Sequence, residues 1–405
     1  MSQENLPLIG FDNEKDTLIA TYFELGFKYQ EILAFLATIH EWPMSLVQLK
    51  RNLKRLGLGR RSLYKDSFQS VTEAVQFELR GTGKDLGYRS MHDRITKIHK
   101  LVTDRETVRV ILNYLDPEGV QCRRQRRLRR REYYTRGPND LWHIDGWDKL
   151  KPYGFCVHGG IDGYSRRIIW LEVASTNNDP YVVCSYFANA ILKINGLPNV
   201  VRADRGTENT NIAQMQTFLR GANNDNRGML NTSFLYGRST SNQRIESWWS
   251  KFGSMGMTTW IEHFKELTGQ GIIDTSNNLD IECCRYCYMH VLKLELDKIK
   301  MLWNTHYIRA SRHHGCPSGR PDVMYYMPDR SGGVECMHAV EQTEINVLTN
   351  ALTAEPSVCN DNNKELFDIL MAEGNRQAAD NLNDAADNLV YLLDVLESNL
   401  SHDNY

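Results

Sequence analysis

The chain predicts an α/β fold: a mixed β-sheet with helices on both faces, preceded by an all-α region and followed by a helical carboxy-terminal segment. Three observations carry this. Between Leu141 and Lys251 the apolar runs follow the order strand, hairpin, helix, strand, helix, which is the order of a mixed sheet covered by helices. From Asp16 to Leu115 apolar residues recur at helical spacing. Leu382, Ala386, Leu389, Leu393 and Leu396 form one helical stripe in the acidic tail, suited to packing on the core or on a partner helix.

Leu141 to Gly146 alternates apolar and polar residues as a half-buried strand does, so Asp145 points to the face opposite Ile144. Phe155–Ile161 and Arg167–Val173 are apolar runs joined by Asp162-Gly163-Tyr164-Ser165, a hairpin signal. Pro180 to Ile194 reads as a helix with Val182, Val183, Tyr186, Phe187, Ala190 and Ile191 toward the sheet. Leu197 to Asp204 is a further strand, broken by Arg205-Gly206, and Ser241 to Trp249 opens as a capped helix.

Three carboxylates stand out in this frame. Asp145 and Asp204 leave strand ends, and Glu246 comes from a helix. Such hard oxygen donors suit Mg²⁺ or Mn²⁺. Two such ions activate an attacking water or hydroxyl and stabilise the oxygen leaving phosphorus, which is phosphodiester chemistry.

Trp142–Gly146, the hairpin Gly159–Leu171, Ala203–Asn209 and Asn242–Glu246 together resemble the D,D,E integrases and transposases of retroviruses and retrovirus-like elements, over roughly Asn139 to Tyr307. The resemblance implies a ribonuclease-H-like core, catalysis by Asp145, Asp204 and Glu246, two Mg²⁺ (or Mn²⁺) ions on those acids, a DNA partner and a homo-oligomer. Asp204 and Glu246 are 42 positions apart, longer than in the retroviral enzymes, with the excess assigned to the loop at Gly221–Gly228. No His-His-Cys-Cys zinc module precedes the core. Where the relatives carry lysines one and two turns after the glutamate, this chain has Ser250 and Gly253.

Charge is distributed unevenly. Residues 1–140 hold 25 Lys+Arg against 18 Asp+Glu, and the remainder holds 23 against 32, so a basic front and an acidic rear point to a polyanion partner for the front. The nine cysteines, with no signal peptide ahead of them, indicate reduced thiols in an intracellular or nuclear setting. No apolar run is long enough to span a bilayer.

The organisation expected is a helix-turn-helix-like module at 1–62, a second helical module at 67–121, a basic linker at 122–138, the integrase-like core at 139–310, and a basic segment with an acidic helical tail at 311–405. Ser45 with Gln48 makes a capping box for a helix with Leu46, Leu49, Leu53 and Leu56 on one face. Lys50, Arg51, Lys54 and Arg55 crowd the other, as on a recognition helix entering the major groove. The alternative is an amphipathic pair with a solvated charged face. In the second module Ser90 opens one helix, Thr103 with Glu106 caps the next, and Arg105 and Arg109 are available to phosphates. Gly81–Gly87 is a plain loop, since neither Ser nor Thr follows Lys84. Arg123, Arg124, Arg126 and Arg127 belong to a run of seven arginines in nine positions, which fits salt-dependent phosphate binding or nuclear import.

Other residues weigh toward structure. Asp162 belongs to a turn, Asp148 to a solvated loop, and Glu208 with Asn209 to a turn held by their side chains. Trp248, Trp249, Phe252 and Trp260 read as core. Cys283, Cys284, Cys287 and His290 lie on one continuous helix and cannot wrap a tetrahedral ion. Lys251, Arg309, Arg312 and Arg320 are candidate phosphate contacts. The function expected is a Mg²⁺-dependent DNA integrase or transposase. A silent, domesticated DNA-binding or interaction protein is the alternative, and an RNA-cutting relative fits less well because of the two helical modules in front.

Overall fold

The computed structural model describes residues 14–59, 65–125, 134–222, 233–238, 241–310, 317–344, 346 and 358–402, with the side chains of 122–125 and 400–402 left aside. At its centre is a five-stranded sheet in the order β3-β2-β1-β4-β5, built from β1 (Leu141–Trp147), β2 (Cys156–Asp162), β3 (Ile168–Ala174), β4 (Val200–Ala203) and β5 (Phe234–Tyr236). The first three strands are an antiparallel meander, and β4 and β5 add in parallel. The fold class read from the sequence, a ribonuclease-H-like mixed sheet with helical parts before and after it, is the one observed.

Strand alternation sorts the side chains into two cores. Trp142, Ile144, Trp170, Val201 and Ala203 face the helices Pro180–Ile194 and Thr210–Ala222. Trp147, Val157, Ile161, Leu171 and Val173 face the opposite side, against Gln243–Phe252, Thr258–Gly269, Asn278–Thr305 and the tail. Asp145, out of phase with Ile144, therefore belongs to the second face. The tail stripe packs on this core: Leu389 and Leu396 are buried in it, with Leu382, Ala386 and Leu393 against its edge.

The three helices Glu14–Glu24, Tyr29–Thr38 and Leu46–Arg55 surround a core of Ile19, Phe27, Ile32, Phe35, Leu49 and Leu53. Ser45 and Gln48 form the capping box. Leu46, expected on the buried face, is 40% exposed at the first position of its helix. This module docks on residues after the core: Val323 and Met327 join its apolar cluster. Arg320 is not a phosphate contact. Its guanidinium donates to the carbonyls of Gly26 (2.6 Å) and Thr305 and pairs with Glu31 at 3.4 Å.

Phe68–Arg80, Tyr88–Lys97 and Arg105–Leu115 form the second helical cluster around Val75, Ile95 and Leu112. The second of these helices begins at Tyr88, ahead of the expected Ser90, and the cap of the third is Asp104, not Thr103, because Asp104 accepts both the N–H and the hydroxyl of Thr107. Arg109 pairs with Glu106 on its own helix. Arg94, 1% exposed, bonds Glu78 at 2.7 Å and Glu295 of the long helix Asn278–Thr305 at 2.6 Å. Beside it Gly256 holds φ 139°, where a side chain would be strained and would meet Thr82 at 2.9 Å. The same long helix closes the sheet: the Asn304 amide accepts from the Ile168 N–H (2.8 Å) and donates to its carbonyl (3.0 Å), at the terminal strand β3.

Candidate active site

Asp145 is the fifth residue of β1 and is half-buried. β4 runs parallel to β1 with Trp142 beside Val201 and His143 beside Arg202. Continued two residues, that register sets Asp204, half-buried just past β4, level with Asp145. Neighbouring strands lie about 4.8 Å apart, so two acids arrive side by side by sheet geometry alone.

Glu246 is brought by the helix Gln243–Phe252, whose start is fastened to β1. Asn242, 1% exposed, donates its amide to the Ile144 carbonyl (2.8 Å), and its oxygen lies 2.7 Å from His143 Nδ1. Burial pushes His143 down to about 3, so the ring is neutral and its Nδ1–H is the donor. The cap thus grips the strand at the His143 side chain and at the carbonyl of the peptide that precedes Asp145, and Glu246 follows one turn later. Three residues further, Trp249 Nε1 donates to Asp145 Oδ2 at 3.0 Å.

The electrostatics report the convergence. Burial, then the charges of Glu246 and Asp204, raises Asp145 to about 7 against the bonds from Trp249 and the Gly146 backbone. Burial and the charge of Asp204 also raise Glu246. Carboxylates that hold each other's protons lack positive charge, and an all-oxygen donor set fits a divalent ion such as Mg²⁺ or Mn²⁺. Among the described residues, however, no three His, Cys, Asp or Glu side chains stand close enough to form a ready metal cage.

The surrounding residues divide clearly. Asp162 is fully buried and accepts from Asn139 N–H and from Ser165 N–H and hydroxyl, so it builds the hairpin. Asp148 is exposed and accepts from Asn177 at 3.2 Å. Asn209, in the turn after β4, donates to both Asp204 (3.3 Å) and Glu208 (3.0 Å). Trp248, Trp249, Phe252 and Trp260 are all buried core residues. Cys283, Cys284 and Cys287 are buried with their thiols raised by burial, as packing residues are.

The cations are more scattered. Lys251 lies over the Trp303 ring, 4.8 Å from its centroid, and not beside the acids, since five residues past Glu246 the helix has turned away. Arg244 donates to the Gly163 carbonyl at 3.0 Å. Lys50, Arg51 and Lys54 are exposed together, while the exposed Arg55 is held in a two-pronged pair with Asp16 (2.6 and 2.7 Å). Arg309 is exposed. Arg126, Arg127, Arg312 and the side chains of Arg123 and Arg124 lie outside the described residues, as does the loop from Asn223.

Sequence reasoning passed over His143 and Asn242 as a fastening, and the donor role of Trp249. The available signals were the phase of His143 with Asp145 along one strand and the spacing of three between Glu246 and Trp249. A search of curated proteins finds no match. Residues 132–319 match the protein-family model described as "Integrase core domain", a span that takes in the whole sheet and all three acids. The strand order agrees with that match, and residues 132–319 are similar to the integrase core domain family.

Proposed function

We propose that the protein is a divalent-metal-dependent DNA integrase or transposase, with Asp145, Asp204 and Glu246 as its catalytic and metal-holding residues. The observation that carries the reading is the parallel register that sets Asp204 level with Asp145, with Glu246 near enough for its charge to raise Asp145 and for that of Asp204 to raise it in turn, within a matched integrase core. When bound, Mg²⁺ or Mn²⁺ supplies a deprotonated nucleophile and charge for the phosphorus-bound oxygens. In the first step a water oxygen bonds to phosphorus near a DNA end, the P–O3′ bond breaks, and a free 3′-hydroxyl remains. In the second that hydroxyl attacks a target phosphodiester, whose own 3′-oxygen leaves. The chain's contribution is alignment: the sheet fixes Asp145 and Asp204, and the Asn242 cap fixes the turn that carries Glu246.

DNA is the substrate and partner of this reading, with the exposed Lys50, Arg51 and Lys54 as phosphate or groove contacts supported by their shared helix face. Strand transfer between short DNA duplexes tests it. Asp145→Asn and Glu246→Gln are expected to lose joining by several orders of magnitude while retaining DNA binding in a gel-shift assay, and joining by either variant removes that residue from the mechanism. The absence of a ready metal cage among the described residues favours one second reading, a silent DNA-binding protein on the same fold. Mn²⁺-dependent cleavage by the purified wild type decides between them.

A further inference from the structure

We propose that Trp249 is a positioning residue for Asp145, chosen for its indole N–H and not only for its bulk; this rests on the metal-holding role proposed above. The Nε1–H donates to Asp145 Oδ2 at 3.0 Å. A donor fixed in a packed indole on another element restricts the rotation of this short carboxylate. Its free oxygen valence is then directed by the protein before any ligand arrives.

The sheet is shaped to admit this ring. Gly159 is the register partner of Asp145 across β1 and β2, and a Cβ at Gly159 would stand 2.9 Å from Trp249 Cη2 and 3.6 Å from Ile245 Cδ1. The indole lies where any other residue would place its side chain. Trp248, Phe252 and Trp147 hold it there, with ring centroids 4.9, 5.2 and 6.5 Å away. Glu246 and Trp249, three apart, share one helix face, so a single turn delivers an acid to the site and a donor to its neighbour. A phenylalanine would satisfy the packing but could not make this bond.

Trp248 supplies an internal comparison. It is buried in the same cluster, 2% exposed against 7% for Trp249, yet its Nε1 has no hydrogen-bond partner among the described residues. Trp248→Phe and Trp249→Phe therefore remove the same atom from the same core, and only one of them contacted an acid.

The test uses the full-length chain: Mn²⁺ affinity without DNA by electron paramagnetic resonance, kcat and KM for Mn²⁺-dependent cleavage of a short duplex, and thermal melting. Loss of a hydrogen bond to a charged group is worth about tenfold or more. Trp249→Phe is expected to weaken Mn²⁺ binding and lower kcat by about that factor, with KM for DNA and the melting temperature little changed. Trp248→Phe is expected to match the wild type in Mn²⁺ affinity. Gly159→Ala, which keeps the indole but displaces it, is expected to fall with Trp249→Phe. Wild-type Mn²⁺ affinity in Trp249→Phe, or equal losses in both phenylalanine variants, overturns the inference alone. Wild-type Mn²⁺ affinity in Asp145→Asn overturns the metal-holding reading and the inference with it.

Discussion

Glu78 and Glu295 converge on the single guanidinium of Arg94, whereas Asp145, Asp204 and Glu246 converge without an ion-pair partner among the described residues. Burial alone would raise Glu78, but the hydrogen bond with His99 and the charge of Arg94 reverse it and hold the carboxyl below its ordinary 4.5. At the other cluster nothing reverses burial, and Asp145 rises to about 7. The first group of acids is complete and joins the second helical cluster to the core. The second is electrically unfinished, which suits a site that takes its positive charge from outside the chain.

The largest test of this contrast is Arg94→Ala. It removes the guanidinium that two buried glutamates share, leaving them only His99 and Lys298, and breaking a buried pair costs about 3–5 kcal/mol, read by urea unfolding. A loss below about 1 kcal/mol, the range of an exposed pair, would show that the joint is not held by charge.

Acid titration separates the two clusters by sign. Glu78, depressed on folding, contributes stability that is present above 4.5 and lost as pH falls through its folded value. The stability gap between wild type and Glu78→Gln should therefore close in acid. Asp145, raised from 3.8 to about 7, makes the folded chain bind the extra proton in between, so the metal-free protein loses stability as pH rises through that window. Asp145→Asn should flatten the loss in chelator-treated samples; an unchanged slope would mean that folding does not raise the Asp145 carboxyl. The smallest effect belongs to Lys84→Ala, which removes an exposed pair with Glu262 at the same joint as Arg94 and should change stability by no more than about 1 kcal/mol.

What the sequence revealed follows the range of the interaction. The alternation that turns Asp145 away from Ile144, the capping box of Ser45 and Gln48, and the turn role of Asp162 are local, and each stands in the structure as read. The acids' order along the chain was also readable, because parallel pairing of β1 and β4 makes two strand ends into neighbours. The joints were not. Arg94 meets Glu295 across 201 positions and Arg320 meets Gly26 across 294, and no spacing rule identifies which arginine in a basic region is taken inward. Trp249 was hidden for a different reason: core packing explains an aromatic pair so well that its one polar atom drew no attention.

The amide of Asn304, bonded to both backbone groups of Ile168, imitates one peptide unit of a strand that is not there. A sheet margin with open backbone groups invites another polypeptide to extend it, and here the invitation is already answered from within. At Ile168 both backbone groups are already taken, so an incoming strand would find no open pair there.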